Sequence, residues 1–304
     1  MRGVEPLIEC VPNFSEGRRA EVVDSIVAAI AGVPGVMMLN RHSDADHNRS
    51  VITFAGAPAP VLQAAYQGVA AAAALINMDE HRGQHPRIGA ADVVPLVALR
   101  DATLADCAAL ARALGQRIGE GLGLPVYLYE AAAQRPERQS LPDVRRGEYE
   151  GLKTAIVSDP ARAPDFGPAR IGPAGAVAVG ARRPLVAFNV YLTTADVRVA
   201  RKIARAVRHS SGGLRHVRAL GLLVQGQAQV SMNLTDVSAT PIHQAVELIR
   251  REAQRYGVGV ARSELVGMIP QQALLAAAQW YLQLDNFRVE QVLETRLGII
   301  SPPE

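Results

Sequence analysis

Residues 185–209 read LVAFNVYLTTADVRVARKIARAVRH, and the spacing of the apolar residues changes at Thr193. Leu185–Tyr191 is apolar enough to predict a buried strand, whereas Ala195–His209 repeats apolar residues at helical spacing. Thr193 or Thr194 suits the N-cap of that helix. The stretch therefore predicts a strand followed directly by a helix.

The same alternation continues toward the C-terminus. Two predicted strands flank a tight Gln225–Gly226 turn, and a helix, a strand and a last helix follow; the ranges are Ala219–Val224, Ala228–Asn233, Pro241–Arg255, Val258–Val266 and Gln271–Leu284. The apolar stripe of the last helix is predicted to be core, with Trp280 a core or interface anchor. The order is βαββαβ before that last helix.

The first half of the chain has the same order of predicted elements. They are Leu7–Val11, Arg19–Ala31, Val36–Arg41, Ser50–Ala55, Pro60–Ile76 and Asp92–Leu99, extended by Leu104–Gly121 and Pro125–Tyr129. Two tandem βαββαβ units predict an α/β (α+β) protein of two ferredoxin-like subdomains, each a twisted sheet with helices on one face. We expect the domains to be 1–180 and 181–304, with a substrate cleft between their sheets.

Composition excludes several classes of protein. The 304 residues are 49% hydrophobic and 20% charged, which predicts a globular chain of about two domains rather than a disordered one. Aromatic residues make up 4%, too few for a base-stacking surface, so no nucleic-acid partner is expected. No apolar run reaches the roughly 20 residues of a membrane helix. We expect no membrane association and a cytoplasmic location.

The densest polar stretch is the loop Asp79–Gly89, DEHRGQHPRIG. His81 and His85 have the spacing of two zinc ligands on a helix, but Gly83 and Pro86 break a helix there, so no metal is expected. In a functional interpretation the loop is rigid, His85 titrates near neutral pH and the arginines bind substrate carboxylates. A solvated surface loop explains the composition equally well.

Two further stretches are weaker candidates. Arg41–Arg49 joins two predicted strands. Its Asp and His residues form a base with its orienting acid, chelate a divalent cation, or are simply good turn formers. Gly167–Gly180 holds four glycines, but its spacing fits no nucleotide-binding motif. It permits the close approach of backbone to a flat or extended ligand.

Several strings, taken together, resemble the formiminotransferase domain of the formimidoyltransferase-cyclodeaminase family. They are Glu9–Gly17 (ECVPNFSEG), His81–Ala90 (HRGQHPRIGA), Pro125–Tyr129 (PVYLY), Arg146–Glu150 (RGEYE), Ala163–Pro168 (APDFGP), Gly180–Arg182 (GAR), Ala187–Asn189 (AFN) and Leu265–Gly267 (LVG). They occur in order over nearly the whole chain.

The resemblance implies a folate-dependent transferase of histidine degradation. Such an enzyme moves a formimino group from N-formimino-L-glutamate to tetrahydrofolate, its co-substrate, and needs no metal. The cyclodeaminase part of the fused members is not found here, so a separate cyclodeaminase is expected to act downstream. A homodimer is also expected.

The resemblance also implies the site residues. The family's catalytic histidine falls on His85. Folate is expected at Gly167, Pro168, Ala169, Arg170, Ile171, Gly172, Pro173, Ala174 and Gly175. Substrate contacts are expected from Arg82, Arg87, Asn48, Arg49 and Asp44.

The chain departs from the family's strings at three places. Arg82 and Gln84 stand where the family has Lys and Glu, which removes a carboxylate near His85. In the Asn40–Arg49 loop only Asn48 and Arg49 align, so the acid that orients His85 is Asp44, Asp46 or neither. Pro173–Gly175 replaces a longer string with an aromatic residue, which removes a packing contact for the pterin.

Two other functions remain open at this point. The same histidine serves formyl transfer between N-formylglutamate and 5-formyl-tetrahydrofolate equally well. A non-catalytic folate-binding protein would need no reactive histidine at all. Transfer between two nitrogen atoms favours the catalytic interpretation, because an imidazole can take one proton and return it.

Overall fold

The computed structural model describes residues 5–298 and divides the chain into two compact units, the first ending at Arg183 and the second beginning at Pro184. The first unit contains β1 (Leu7–Cys10), β2 (Asn13–Phe14), α1 (Ala20–Ala31), β3 (Val36–Asp44), β4 (Arg49–Gly56), α2 (Pro58–Leu75), β5 (Ala91–Arg100), α3 (Leu104–Leu122), β6 (Val126–Glu130), α4 (Leu141–Val144), α5 (Glu148–Ser158) and β7 (Val177–Ala181).

The second unit contains β8 (Val186–Leu192), α6 (Val197–Val207), β9 (Val217–Val224), β10 (Gln227–Leu234), α7 (Ile242–Gln254), β11 (Val260–Val266), α8 (Gln271–Leu282) and α9 (Leu293–Arg296). Its strands lie in the order β11–β8–β10–β9, and all neighbours are antiparallel. Helices α6 and α7 bury their apolar stripes on one face of this sheet. This is the predicted ferredoxin-like βαββαβ arrangement, so the fold prediction is confirmed.

The first unit repeats that arrangement and extends it. Strands β5, β1, β4 and β3 are neighbours in the same antiparallel order, and the two-residue β2 continues β1 between β4 and β5. Strands β7 and β6 then add to β5 in parallel. Among residues 5–298, this sheet has seven strands.

The added strands have helices on both faces. Val94, Val177 and Val179 belong to the core on the side of α1–α3, whereas Tyr127 and Ala178 pack with Leu152 and Ile156 of α5 on the opposite side. Parallel strands covered on both faces consist mainly of apolar residues, as these two do. This part of the sheet supports the polar loops described below.

Helix α1 shows why these elements form. Val22, Val23, Ile26 and Ile30 recur at helical spacing, and all four side chains are buried, as the sequence predicted. Burial of an isoleucine side chain contributes about 1.5–3 kcal/mol. Packing of this stripe therefore stabilises the helix far more than local propensity does.

The structure differs from the sequence prediction at three elements. The end of the Gly167–Gly180 stretch forms β7, the strand between β5 and β6, which was not predicted. Helix α5 was not predicted. In α8 only Ala273 is buried, and Trp280 is 56% exposed and stacks on His243 with ring centroids 4.9 Å apart, so the predicted core stripe is wrong.

No helix among residues 5–298 combines the length and the apolar character that crossing a membrane requires.

Candidate active site

The site is built where β3 ends and β4 and β5 begin, at one end of the first sheet. The loop between α2 and β5 carries His85, which is partly buried. Its Nδ1 lies 2.8 Å from the backbone carbonyl oxygen of Pro86. Because a carbonyl only accepts, Nδ1 carries the proton, and in the neutral ring Nε2 keeps its lone pair.

A second imidazole lies beside the first. The turn between β3 and β4 carries His47, whose ring meets that of His85 edge-on, with centroids 6.1 Å apart and planes 71° apart. Asp44 orients His47, because its carboxylate lies 3.0 Å from the ring Nδ1 and accepts the backbone N–H of His47 at 2.8 Å. Hydrogen bonding to His47 lowers the pKa of Asp44 to about 2.

Backbone contacts hold these two loops together. The amide of Gln84 donates to the carbonyl of Asp46 at 3.3 Å, and Asn48 Nδ2 donates to the carbonyl of Arg82 at 3.1 Å. His81 is buried and its Nε2 bonds the carbonyl of Asn48 at 3.0 Å. His81 therefore has a structural role, and Asn48 joins the loops through both its backbone and its side chain.

Gly83 permits the closest approach of the two loops. A Cβ at this position would lie 2.2 Å from the carbonyl oxygen of His47, far inside van der Waals contact. Asn48, on the other loop, has a φ of +47°, in the left-handed region that asparagine tolerates better than most residues. The close packing of the two loops thus depends on Gly83 in one loop and on Asn48 in the other.

Three largely buried charged side chains interact electrostatically with His85. Arg49 Nη1 bonds Asp92 Oδ2 at 2.7 Å, and its Nε bonds Asn13 Oδ1 at 3.1 Å. Arg145 bonds the same Asp92 oxygen, and Asp92 Oδ1 also accepts the amide of Ile88 at 2.9 Å. Asp92 thereby ties both arginines to the end of the loop that carries His85.

This environment holds the pKa of His85 well below 6.5. Desolvation is the largest cause, because burial disfavours the charged imidazolium, and the positive charges of Arg49 and Arg145 act in the same direction. The carboxylate of Asp92 opposes them only in part. His85 is therefore neutral at neutral pH and able to accept a proton.

The two arginines of the loop have protein partners. Arg87 bonds Glu148 at 2.8 Å and Glu150 at 2.6 Å, both in the first turn of α5, and its Nε lies 3.3 Å from His81 Nδ1. Arg82 is exposed and donates to the carbonyl of His81 at 2.8 Å. Arg87 thus faces two protein carboxylates. Substrate contacts by Arg82 and Arg87 stay predictions.

The expected folate segment, residues 167–175, contacts the same loop. The carbonyl of Pro173 accepts the amide of Met78 at 2.7 Å, and that of Ala174 accepts the amide of Ala90 at 2.8 Å. A Cβ on Gly175 would lie 2.5 Å from the Cα of Gly89. The end of the segment therefore packs against the base of the loop that carries His85.

The start of that segment is anchored separately. Asp165 and Arg138 form a buried ion pair at 2.5 Å, and Asp165 also accepts the amide of Leu128 in β6 at 2.7 Å. Between the two anchors, Ala169, Arg170 and Gly172 are exposed. The segment is thus held at both ends, and its middle is exposed.

Residues 5–298 contain no group of three or more His, Cys, Asp or Glu side chains arranged to hold a metal ion.

Comparison with known proteins identifies the family. The sequence profile of the formiminotransferase domain, N-terminal subdomain, matches residues 7–182, and that of the formiminotransferase domain matches residues 187–300. The chain belongs to the formiminotransferase family. Each profile therefore covers most of one compact unit.

Some curated relatives match this chain over nearly their full length, whereas others match it over little more than half of theirs. Glutamate formimidoyltransferase of Thermoplasma acidophilum is 49% identical over 96% of this chain and 97% of its own length, and that of Streptococcus pyogenes serotype M1 is 44% identical over 96% and 98%. Formimidoyltransferase-cyclodeaminase of Sus scrofa is 42% identical over 97% of this chain but only 57% of its own length.

Three members of the site escaped the sequence analysis. The sequence predicts Asp92 only as the start of an apolar strand. A charged residue in a buried run needs a partner, and this was the available signal. Arg145 lies in a segment rich in Pro, Arg and Glu, where no pattern marks it. His47 was in a candidate loop, but only the fold brings it beside His85.

Asp44, one of the two acids expected to orient His85, contacts His47 instead. The carbonyl of Pro86 fixes the tautomer of His85. An orienting role for Asp46, whose backbone carbonyl accepts the amide of Gln84, stays a prediction.

Proposed function

We propose that this chain is a glutamate formimidoyltransferase, which moves the formimino group of N-formimino-L-glutamate to tetrahydrofolate. The relatives that match nearly their full lengths carry the name of that activity. The single observation that carries the proposal is the tautomer and protonation state of His85. Its Nδ1–H is donated to Pro86 and its pKa is held well below 6.5, which leaves Nε2 as a free base.

The reaction needs one group that takes a proton and returns it. The N5 nitrogen of tetrahydrofolate forms a bond to the formimino carbon, and the bond from that carbon to the glutamate nitrogen breaks. His85 accepts the proton that N5 loses and delivers it to the departing nitrogen, so atoms and charge balance. A positioned acid–base group of this kind contributes about 10² to 10⁴ in rate.

The lowered pKa of His85 suits both proton transfers. A neutral imidazole is ready to accept a proton at neutral pH, and the imidazolium formed in this desolvated, positively charged setting gives the proton up readily. His47, oriented by Asp44 and edge-on to His85, is a second polar group at the reacting centre.

Residues 167–175 bind the folate in this proposal. The segment is held at both ends, contacts the loop that carries His85, and exposes the cation of Arg170. A guanidinium can bind a carboxylate of the folate's glutamate tail. The missing aromatic residue means that backbone and small side chains, rather than a stacked ring, contact the pterin.

The deciding experiment compares His85→Ala with the wild-type protein. Turnover of N-formimino-L-glutamate with tetrahydrofolate should fall by about 10² to 10⁴, while folate binding measured by calorimetry is retained. His209→Ala is the matched control, because that histidine is exposed in the second unit. An unchanged rate in His85→Ala would remove this residue from the mechanism.

The donor assay separates the other two functions. Turnover of N-formyl-L-glutamate, with none of the formimino donor, would assign formyl transfer. Folate binding without turnover of either donor would assign a binding protein.

The remaining expectations belong to the same proposal. The product passes to a cyclodeaminase, an activity that the relative from Sus scrofa carries in its name. A homodimer, a cytoplasmic location and a substrate cleft between the two sheets stay predictions.

A further inference from the structure

The charge cluster beneath His85 has one positive charge more than its carboxylate can balance. Arg49, Arg145 and Asp92 have side-chain exposures of 8%, 12% and 0%. Both guanidinium groups share the one carboxylate of Asp92. Arg87 is different, because it faces two carboxylates, from Glu148 and Glu150.

The neighbouring groups do not supply the missing negative charge. His85 is neutral, and burial raises the pKa of Tyr129, so this phenol stays protonated. The carboxylate of Asp44 is engaged with His47. A desolvated positive charge without a counter-ion is costly, so the cluster favours an anion from outside the protein.

The arginines keep donors for such an anion. In Arg49, Nε donates to Asn13 and one terminal nitrogen donates to Asp92. In Arg145, Nε and one terminal nitrogen both donate to Asp92. A guanidinium has five N–H donors, so a second terminal nitrogen remains on each. Two such groups side by side match the two oxygens of a carboxylate.

We propose that Arg145 and Arg49 bind the α-carboxylate of the formimino donor and of the glutamate product. This inference rests on the proposed function and names the residues that hold its substrate. The α-carboxylate is attached to the carbon that bears the departing nitrogen. Holding it beneath His85 places that nitrogen within reach of the imidazole and makes the proton transfer effectively intramolecular.

The test uses Arg145→Gln in the full chain. The substitution leaves a neutral Arg49–Asp92 pair, so the fold is expected to persist, which thermal unfolding checks. Calorimetry should show L-glutamate binding weakened about tenfold to a hundredfold, the effect of losing a charge-assisted hydrogen bond. Arg145→Lys should restore part of that affinity, and Arg117→Gln, an exposed arginine that bonds Gln63, is the charge-matched control.

A donor analogue identifies which carboxylate is bound. Replacing the α-carboxylate by a carboxamide should weaken wild-type binding about as much as Arg145→Gln does, and should have little further effect in the variant. If the carboxamide weakens binding equally in both proteins, the α-carboxylate lies elsewhere and the inference fails. If Arg145→Gln weakens the binding of inorganic chloride and of L-glutamate equally, the site binds anions in general and the inference also fails.

A second readout does not depend on affinity. Removal of the Arg145 charge should raise the pKa of His85 toward 6.5, as followed by NMR, and bound L-glutamate should raise it in the wild-type protein but less in Arg145→Gln. If the pKa of His85 changes in neither case, the proposed position of Arg145 and of the bound carboxylate next to His85 is wrong.

Failure of this inference is distinguishable from failure of the proposed function. Binding of L-glutamate through Arg145 without any transfer would keep the anion site and refute the transferase. Transfer by the wild-type protein, with L-glutamate binding unchanged in Arg145→Gln, would keep the transferase and refute the anion site.

Discussion

At the residue scale, His85 is defined by what surrounds it. A backbone carbonyl fixes its tautomer, and two guanidinium groups and burial keep it unprotonated. The sequence could identify the residue but could not identify these partners. They come from β4, from the segment before α5 and from the residue that follows His85 itself.

The pH dependence of turnover tests this environment. A folded pKa below 6.5 means that His85 stays deprotonated as the pH falls from about 8 through 6.5, and becomes protonated only at lower pH. We therefore expect kcat/KM for the formimino donor to stay level over that range and to decrease well below pH 6.5. An initial-rate profile measures it, with His209→Ala as the control. A midpoint at or above 6.5 would contradict the described environment.

At the scale of elements, the loop between α2 and β5 is fixed by its close packing on the segment before β7. Gly89 forms an isolated bridge with Gly175, and a Cβ on Gly89 would lie 2.1 Å from the carbonyl oxygen of Ala176. Backbone atoms cannot move away as the end of a flexible side chain can. The glycine is therefore required for the loop's position.

Gly89→Ala should be destabilising by about 1–3 kcal/mol, as for other overpacked positions, and should reduce turnover because the loop carries His85. Urea unfolding measures the change. Gly151→Ala is the matched control, because nothing lies within 4 Å of its added Cβ and it lies inside α5. For Gly151→Ala we expect the free energy of unfolding to increase by up to about 1 kcal/mol, because alanine has a higher helix propensity than glycine. Equal stability of Gly89→Ala and the wild-type protein would refute the close contact.

At the scale of the whole molecule, the two units have separate apolar cores. Ile26 of α1 belongs to the core of the first unit and Ile203 of α6 to that of the second, and both side chains are fully buried. Each core closes over its own sheet. We infer that each unit has its own local stability.

Hydrogen exchange tests this separation. Ile203→Ala should be destabilising by about 2–5 kcal/mol, with protection lost mainly in β8–β11, α6 and α7. Ile26→Ala is the mirror-image variant, and its loss should concentrate in the first unit. Equal loss of protection in both units for both variants would show that they unfold as one.

The sequence alone determined the βαββαβ order of both halves, the family and the loop that carries His85. These properties depend on local periodicity and on strings of adjacent residues, which need no knowledge of the fold. Helix α5 was missed because polar residues interrupt its apolar pattern, and strand β7 was missed because its short apolar run follows a stretch rich in glycine and proline.

Only the tertiary structure decided the electrostatics of the site. Asp92, Arg49 and Arg145 are far apart along the chain, and the pKa of His85 depends on their distances and on burial. Folding likewise turned Arg87 toward α5 and placed His47 beside His85. Such contacts arise from the packing of whole elements, and no local pattern of residues encodes them.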